Sequence, residues 1–323
     1  MLRAYISLRR VGERQVSPSR NMKNDVGLEV TPDEVLAAAT ACKAIYDKNP
    51  EMLGWKAVSL SDLGLPESFS PSGVFINKNA MAFLNEIEVD GEKSLIIAFK
   101  GTDKFSIRDW RDNVMNINQH FDLLKPLIEA LDRYIVRTGV KKVIATGHSL
   151  GGAMACMYMN NHVYGGQGLE DVHYDCVTFG SPGARFDTPV MRSNLLAFRH
   201  AADVVPKIGQ LRGMIAGVYS TPGKIIEMAK PRSNKGLSKY ALGYLSHSMK
   251  DYLDTITHLH RTNCLQYFID SETDLEVKLA EHQIGTIDDI YAEEIRIRPE
   301  WKRRELRPKR SAPDLEPSPA LRM

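Results

Sequence analysis

Two spacings of apolar residues alternate along the 323-residue chain. Short apolar runs at Ser94–Lys100 (SLIIAFK), Val143–Ala145, 174–179 and 195–199 read as buried strands. Between them lie stretches with helical spacing. The first runs from about Pro32 to Tyr46, with Thr31 as N-cap and Pro32 at the first helical position. A hairpin is predicted from Met81–Val89 and Ser94–Lys100, joined around Asp90-Gly91. Residues 103–117 read as a short amphipathic helix and 121–136 as a second helix. A second hairpin is predicted from 215–220 and 224–229 around Thr221-Pro222-Gly223, and the last major helix starts near His247. This alternation predicts an α/β fold in which a mostly parallel central sheet is flanked by helices. There is no internal repeat at solenoid period.

The stretch KKVIATGHSLGG (141–152) sits at one of these strand-to-helix junctions. A serine is a weak nucleophile unless the backbone presents it. Gly147 and Gly151, two before and two after Ser149, leave room for strand and helix to approach around a tight turn. The helix that follows aims free N–H groups and partial positive charge at whatever the serine attacks. GxSxG alone is short and arises by chance in glycine-rich loops. Here a strand precedes it and a helix follows, as the chemistry requires.

Such a serine needs a base, and the base an orienting acid, in the chain order Ser, Asp or Glu, His. Asp203 follows the strand 195–199, at the strand end where active-site groups of parallel sheets collect. It could equally be a turn or capping residue before Pro206. His247 lies at the mouth of an amphipathic helix, where it could also be an ordinary capping histidine. The other histidines fit the role of base less well. His258 and His260 fall three or more turns further along the same helix. His200 adjoins the acid's loop, and His148 flanks the serine and points elsewhere. His162 and His173 precede the acid.

Four ordered blocks now resemble the class 3 lipases, the family that includes the secreted fungal triacylglycerol lipases. They are IIAFKGTDKFSIRDW (96–110), ATGHSLGGAMA (145–155), VTFGSPGARF (177–186) with FRHAADVVPKI (198–208), and HSMKDYL (247–253). The resemblance spans roughly residues 30–270 and implies an α/β-hydrolase fold with a short lid helix. It implies Ser149 as nucleophile, Asp203 as acid and His247 as base. It places the oxyanion-hole donors at Thr102 and Leu150, and a lid with substrate-facing Phe105, Ile107 and Trp110 on the 103–117 helix. A helix packed into the core without moving would show the same period.

The function implied is a serine carboxylester hydrolase of lipase or phospholipase type, cleaving acyl esters of lipids through an acyl-enzyme. A non-catalytic lipase-like binding or regulatory protein, or an acyltransferase on the same fold, are the alternatives. The chemistry calls for no cofactor and no metal; HExxH, P-loop and dinucleotide patterns are absent from the sequence.

Domain organisation follows from charge. A basic N-terminal extension (1–24) and a charged C-terminal extension (272–323), with a proline-rich end expected to be disordered, flank one catalytic domain (25–271). Residues 1–23 hold six Lys or Arg against one Glu, and 296–310 hold eight against two, in a chain of net charge +2. The interior is therefore acidic. The basic ends suit peripheral contact with an anionic membrane surface, at about 1 kcal/mol per basic residue, or are solvated tails. No nucleic-acid module is present, so nucleic acid is not an expected partner. Four scattered cysteines fit packed, reduced thiols. With no standard signal peptide and no spanning segment in view, a cytoplasmic or peripheral membrane location is expected, with export by another route as the exception.

Overall fold

A computed structural model describes residues 30–47, 55–69, 74–101, 117–185, 194–201, 203–207, 219–220, 223–228 and 247–270. Its first helix, α1 (Pro32–Asp47), starts as the sequence predicts. The Thr31 hydroxyl accepts from Glu34 N–H at 3.3 Å, and Thr31 N–H donates to the Glu34 carboxylate at 2.9 Å. This reciprocal pair satisfies two donors that a helix start leaves open.

The strands are β1 (Lys56–Ala57), β2 (Phe75–Asn77), β3 (Ala80–Val89), β4 (Glu92–Phe99), β5 (Lys142–His148), β6 (His173–Phe179), β7 (Ala184–Arg185), β8 (Leu195–His200), β9 (Tyr219–Ser220) and β10 (Lys224–Met228). The main sheet runs β1-β3-β4-β5-β6-β8-β10, with β2 also on β3. From β4 to β10 every pairing is parallel; β1, β2 and β4 meet β3 antiparallel. The β3–β4 hairpin closes through Asp90 and Gly91, both at positive φ (53° and 78°), as a two-residue primed turn demands.

Helices cover both faces, and the two-residue strand period decides which side chain goes where. Leu95, Ile97, Phe99, Val143 and Ala145 pack under α3 (Lys125–Thr138) and α4 (Leu150–Met157). Ile96, Ala98, Ile144, Val177 and Phe198 pack on the opposite face, under α1 and α5 (Met249–Arg261). Helix α5 buries Met249, Tyr252, Ile256 and Leu259, a single stripe at helical spacing. A short α6 (Leu265–Asp270) follows it.

Two expectations are corrected. The helix read at 121–136 is two helices, α2 (Ile117–Asp122) and α3. Pro126 has no N–H to give the Asp122 carbonyl, so one continuous helix would break there. Among the described residues the second predicted hairpin is replaced by other pairings. Strand β9 pairs with β7, whereas β10 joins β8 in parallel and buries Ile226 and Met228 beside Leu196 and Phe198. Gly223 (φ 88°) makes the transfer: a Cβ there would lie 2.0 Å from the Leu195 carbonyl oxygen. The proposed lid helix, with Phe105, Ile107 and Trp110, and both terminal extensions lie outside the described residues.

One charged cluster makes acid sensitivity measurable. The Glu86 carboxylate accepts from Tyr134 Oη at 2.6 Å and from Lys56 Nζ at 3.0 Å, and pairs with Lys93 at 3.1 Å. Burial pushes this carboxyl up, but those three partners outweigh it and hold it down at about 2, against an ordinary 4.5. A depressed folded pKa contributes stability that is present above the ordinary value and lost as pH falls toward the folded one. Glu86→Gln is therefore expected to cost about 1–3 kcal/mol at neutral pH. It should also flatten the dependence of thermal unfolding on pH between 5 and 2.

Candidate active site

Strand β5 ends at His148, and α4 begins at Leu150. The single residue between them, Ser149, has φ 57° and ψ −129°. A positive φ in a residue with a Cβ is strained by about 1–3 kcal/mol and persists only where its surroundings hold it. Here they do. Ser149 N–H donates to the Phe179 carbonyl at the end of β6 (2.9 Å), and the Ser149 carbonyl accepts from Gly152 and Ala153 at the start of α4.

The flanking glycines have no room for a side chain. A Cβ on Gly147 would sit 2.2 Å from the Gly151 carbonyl, and one on Gly151 would sit 2.1 Å from the Phe99 carbonyl oxygen. Gly151→Ala is accordingly expected to lower stability by about 1–3 kcal/mol or more and to displace the elbow. Chemical denaturation checks the first effect, and loss of ester hydrolysis in the protein that remains folded checks the second.

Asp203 and His247, 44 residues apart, meet directly. His247 Nδ1 lies 2.8 Å from Asp203 Oδ2. Asp203 is fully buried and accepts two further hydrogen bonds, from Tyr252 Oη to Oδ2 (2.7 Å) and from Val205 N–H to Oδ1 (2.9 Å). The turn role that the sequence left open for Asp203 is thus real, and the same carboxylate also holds the imidazole. Helix α5 delivers His247 from just before its Ser248 N-cap, and Tyr252 from its first turn.

His247 is brought toward the elbow by two packing contacts. Its ring lies 4.6 Å, centroid to centroid, from that of His148, the residue before Ser149. It also closes over Gly180, where an added Cβ would be 3.1 Å from its Nδ1 and Cε1. Gly180 follows Phe179, the residue that holds Ser149 N–H. Serine backbone, imidazole and carboxylate therefore gather at the carboxyl ends of β5, β6 and β8, and all three residues are buried.

His148 does not point away from the site, contrary to the sequence reading. It lies beneath His247, with its Nδ1 2.9 Å from Tyr46 Oη. Burial, and secondarily its proximity to His247, hold it well below the ordinary histidine range, so it is neutral beneath the His247 ring. His200 stacks on Tyr252 (4.1 Å), the residue that donates to Asp203, and reaches Thr255. His260 pairs with Asp33 on the outer surface, away from the site. The sequence missed Tyr46 and Tyr252. Neither carries a local signal, because each is recruited by a partner about 50 or 100 residues away.

Leu150 opens α4 and is buried. The first helical bonds come from Gly152 and Ala153, so its N–H stays outside the helical ladder. Thr102 lies outside the described residues. The residue before it, Gly101, is next to the elbow, with its Cβ direction 3.1 Å from Ser149 Cβ. Among the described residues, no cluster of His, Cys, Asp or Glu could hold a metal ion, and no helix is long and apolar enough to cross a membrane.

Residues 37–168 match the model of a phospholipase-like family, the Tle-like phospholipase domain. None of the curated proteins matches the sequence. Among solved structures, the chain is similar to the M37 lipase (15% identity, 70% of this chain, 94% of that one, TM-score 0.47). It is also similar to the lipase from Rhizopus microsporus var. chinensis (16%, 68% and 83%, 0.43). A third is a Rhizomucor miehei lipase in its propeptide complex (17%, 62% and 66%, 0.41), of which the chain spans about two thirds. Over the segment that carries the hairpin, the elbow and α4, the chain is therefore similar to a lipase-like, phospholipase-type family, with the Asp203–His247 pair lying beyond the matched stretch.

Proposed function

We propose that this protein is a serine carboxylester hydrolase of lipase or phospholipase type, acting on acyl esters of lipids. The observation that carries the reading is Ser149 held at positive φ on a strand-to-helix elbow, next in sequence to His148, whose ring lies 4.6 Å from that of the buried His247–Asp203 pair. His247 takes the Ser149 proton as the hydroxyl oxygen attacks the ester carbonyl. Asp203, accepting from His247 Nδ1–H, fixes the tautomer and stabilises the imidazolium that forms. The oxyanion faces the Leu150 N–H and a second donor at Thr102. His247 then gives its proton to the departing alcohol, and water, deprotonated in the same way, releases the carboxylic acid from the acyl-enzyme. The match to a phospholipase-like model supports a lipid substrate. The basic ends favour work at an anionic membrane surface.

A fluorophosphonate probe tests the assignment, because phosphonylation of a serine requires an activating base. Labelling of the full-length chain is expected at Ser149, with loss in His247→Ala. No labelling of the folded wild-type protein would refute the proposal and favour a non-catalytic role.

A further inference from the structure

A cavity of about 790 Å³ opens beyond the far end of α4, between α2, α3 and the wide-turn segment Tyr158–Gln167 that continues α4. Its volume is that of a small-molecule site. Met157, the last residue of α4, reaches it, whereas Ser149 precedes the first residue of that helix. The cavity is therefore separate from the elbow. The segment Tyr158–Gln167 widens from the α-helical turn and is kinked at Gly166 (φ 96°).

Gly166 kinks the chain out of the helix, and Gln167 beyond it lies 2.7 Å from His162 Nδ1. His162 Nε2 lies 2.9 Å from Asp132 on α3, and the ring stacks on Tyr158 at 5.3 Å. His162 is 6% exposed and forms part of the cavity wall. Both ring nitrogens are committed to partners, so the wall is rigid before anything binds.

The remaining lining narrows the ligand by its chemistry. Lys125 is bridged to Asp122 at 2.8 Å and is also drawn up by Glu129, and His162 faces Asp132. Each cation in the wall is thus offset by a carboxylate, which disfavours an anionic ligand such as phosphate. Among the described residues no metal-binding cluster exists here. What remains are three side-chain amides, Asn118, Asn161 and Gln167, each with an NH₂ donor and an accepting oxygen, those of Asn161 and Gln167 already holding one bond to Asn160 and His162, over an apolar floor that includes Phe121. Hydroxyl groups have the same double capacity, and the C–H face of a sugar or polyol ring suits such a floor.

The geometry points to a second site that binds a neutral polyhydroxyl group, a sugar or polyol, either free or as the headgroup of a lipid. This holds whether or not Ser149 is a nucleophile. The full-length Ser149→Ala chain is the right host for the test, since nothing can be turned over. Ligand-observed NMR with methyl glucoside and myo-inositol covers the free ligand. Flotation with phosphatidylcholine vesicles, with and without a galactosyl diacylglycerol, covers the headgroup.

The expected result is saturable binding of at least one soluble compound, or flotation that requires the galactolipid. Either should weaken at least tenfold when Asn118→Ala and Asn161→Ala are combined; both side chains are exposed, so the fold is retained. Failure of both arms, or binding unchanged in the double variant, would overturn the site. Inorganic phosphate or calcium displacing the polyol would overturn the ligand class.

Discussion

Ser149→Ala is expected to lower kcat toward a short-acyl nitrophenyl ester by a factor on the order of 10⁵–10⁶, the scale seen when a serine nucleophile is removed. The fold should survive, because the elbow is held by backbone bonds to Phe179, Gly152 and Ala153 that do not involve the hydroxyl. Ser149→Gly sharpens the test. Glycine adopts φ 57° without strain, so this variant should be inactive yet more stable than the parent by about 1 kcal/mol. Gain of stability with loss of activity would separate the strain stored at residue 149 from general damage. Turnover retained in either variant would remove Ser149 from the chemistry.

Asp203→Asn is expected to reduce kcat by about 10⁴, with the protein still folded. The carboxylate accepts three bonds, two on Oδ2 and one on Oδ1. An amide has only one accepting atom. If its oxygen faces His247 and Tyr252, the amide nitrogen confronts Val205 N–H. If it is turned the other way, two donors confront an NH₂ group, and His247 is driven to the tautomer that cannot accept the serine proton. Steady-state kinetics with a soluble ester, beside a circular dichroism spectrum, decide the matter. A loss in kcat of less than tenfold would show that Asp203 serves its turn and not the imidazole.

The local parts of this protein are legible from its sequence because each is specified by neighbouring residues. The Thr31–Glu34 capping box, the Asp90-Gly91 turn and the strand–Gly-x-Ser-x-Gly–helix elbow depend on contacts within a few positions. The break at Pro126 was legible in principle, since a missing N–H is a one-residue signal that the helical period alone overlooks. The partner of β10 was not. Pairing with β9 across a Pro-Gly turn and pairing with β8 across the sheet differ in what Ile226 and Met228 bury, and burial is settled by elements distant in sequence.

The same division runs through the site. Sequence order and spacing made Ser149, Asp203 and His247 candidates, and the family resemblance gave them their expected roles. Only the packing of α1 and α5 on one sheet face set Tyr46 on His148, His148 under His247, and Tyr252 on Asp203. Those contacts span roughly 50 to 100 residues, and no local pattern encodes them. The chain by itself determined which side chains stand at the elbow, the strand end and the helix mouth; the tertiary fold decided which of them touch, because hydrogen bonds and ring contacts act over a few ångströms of space and are indifferent to distance along the chain.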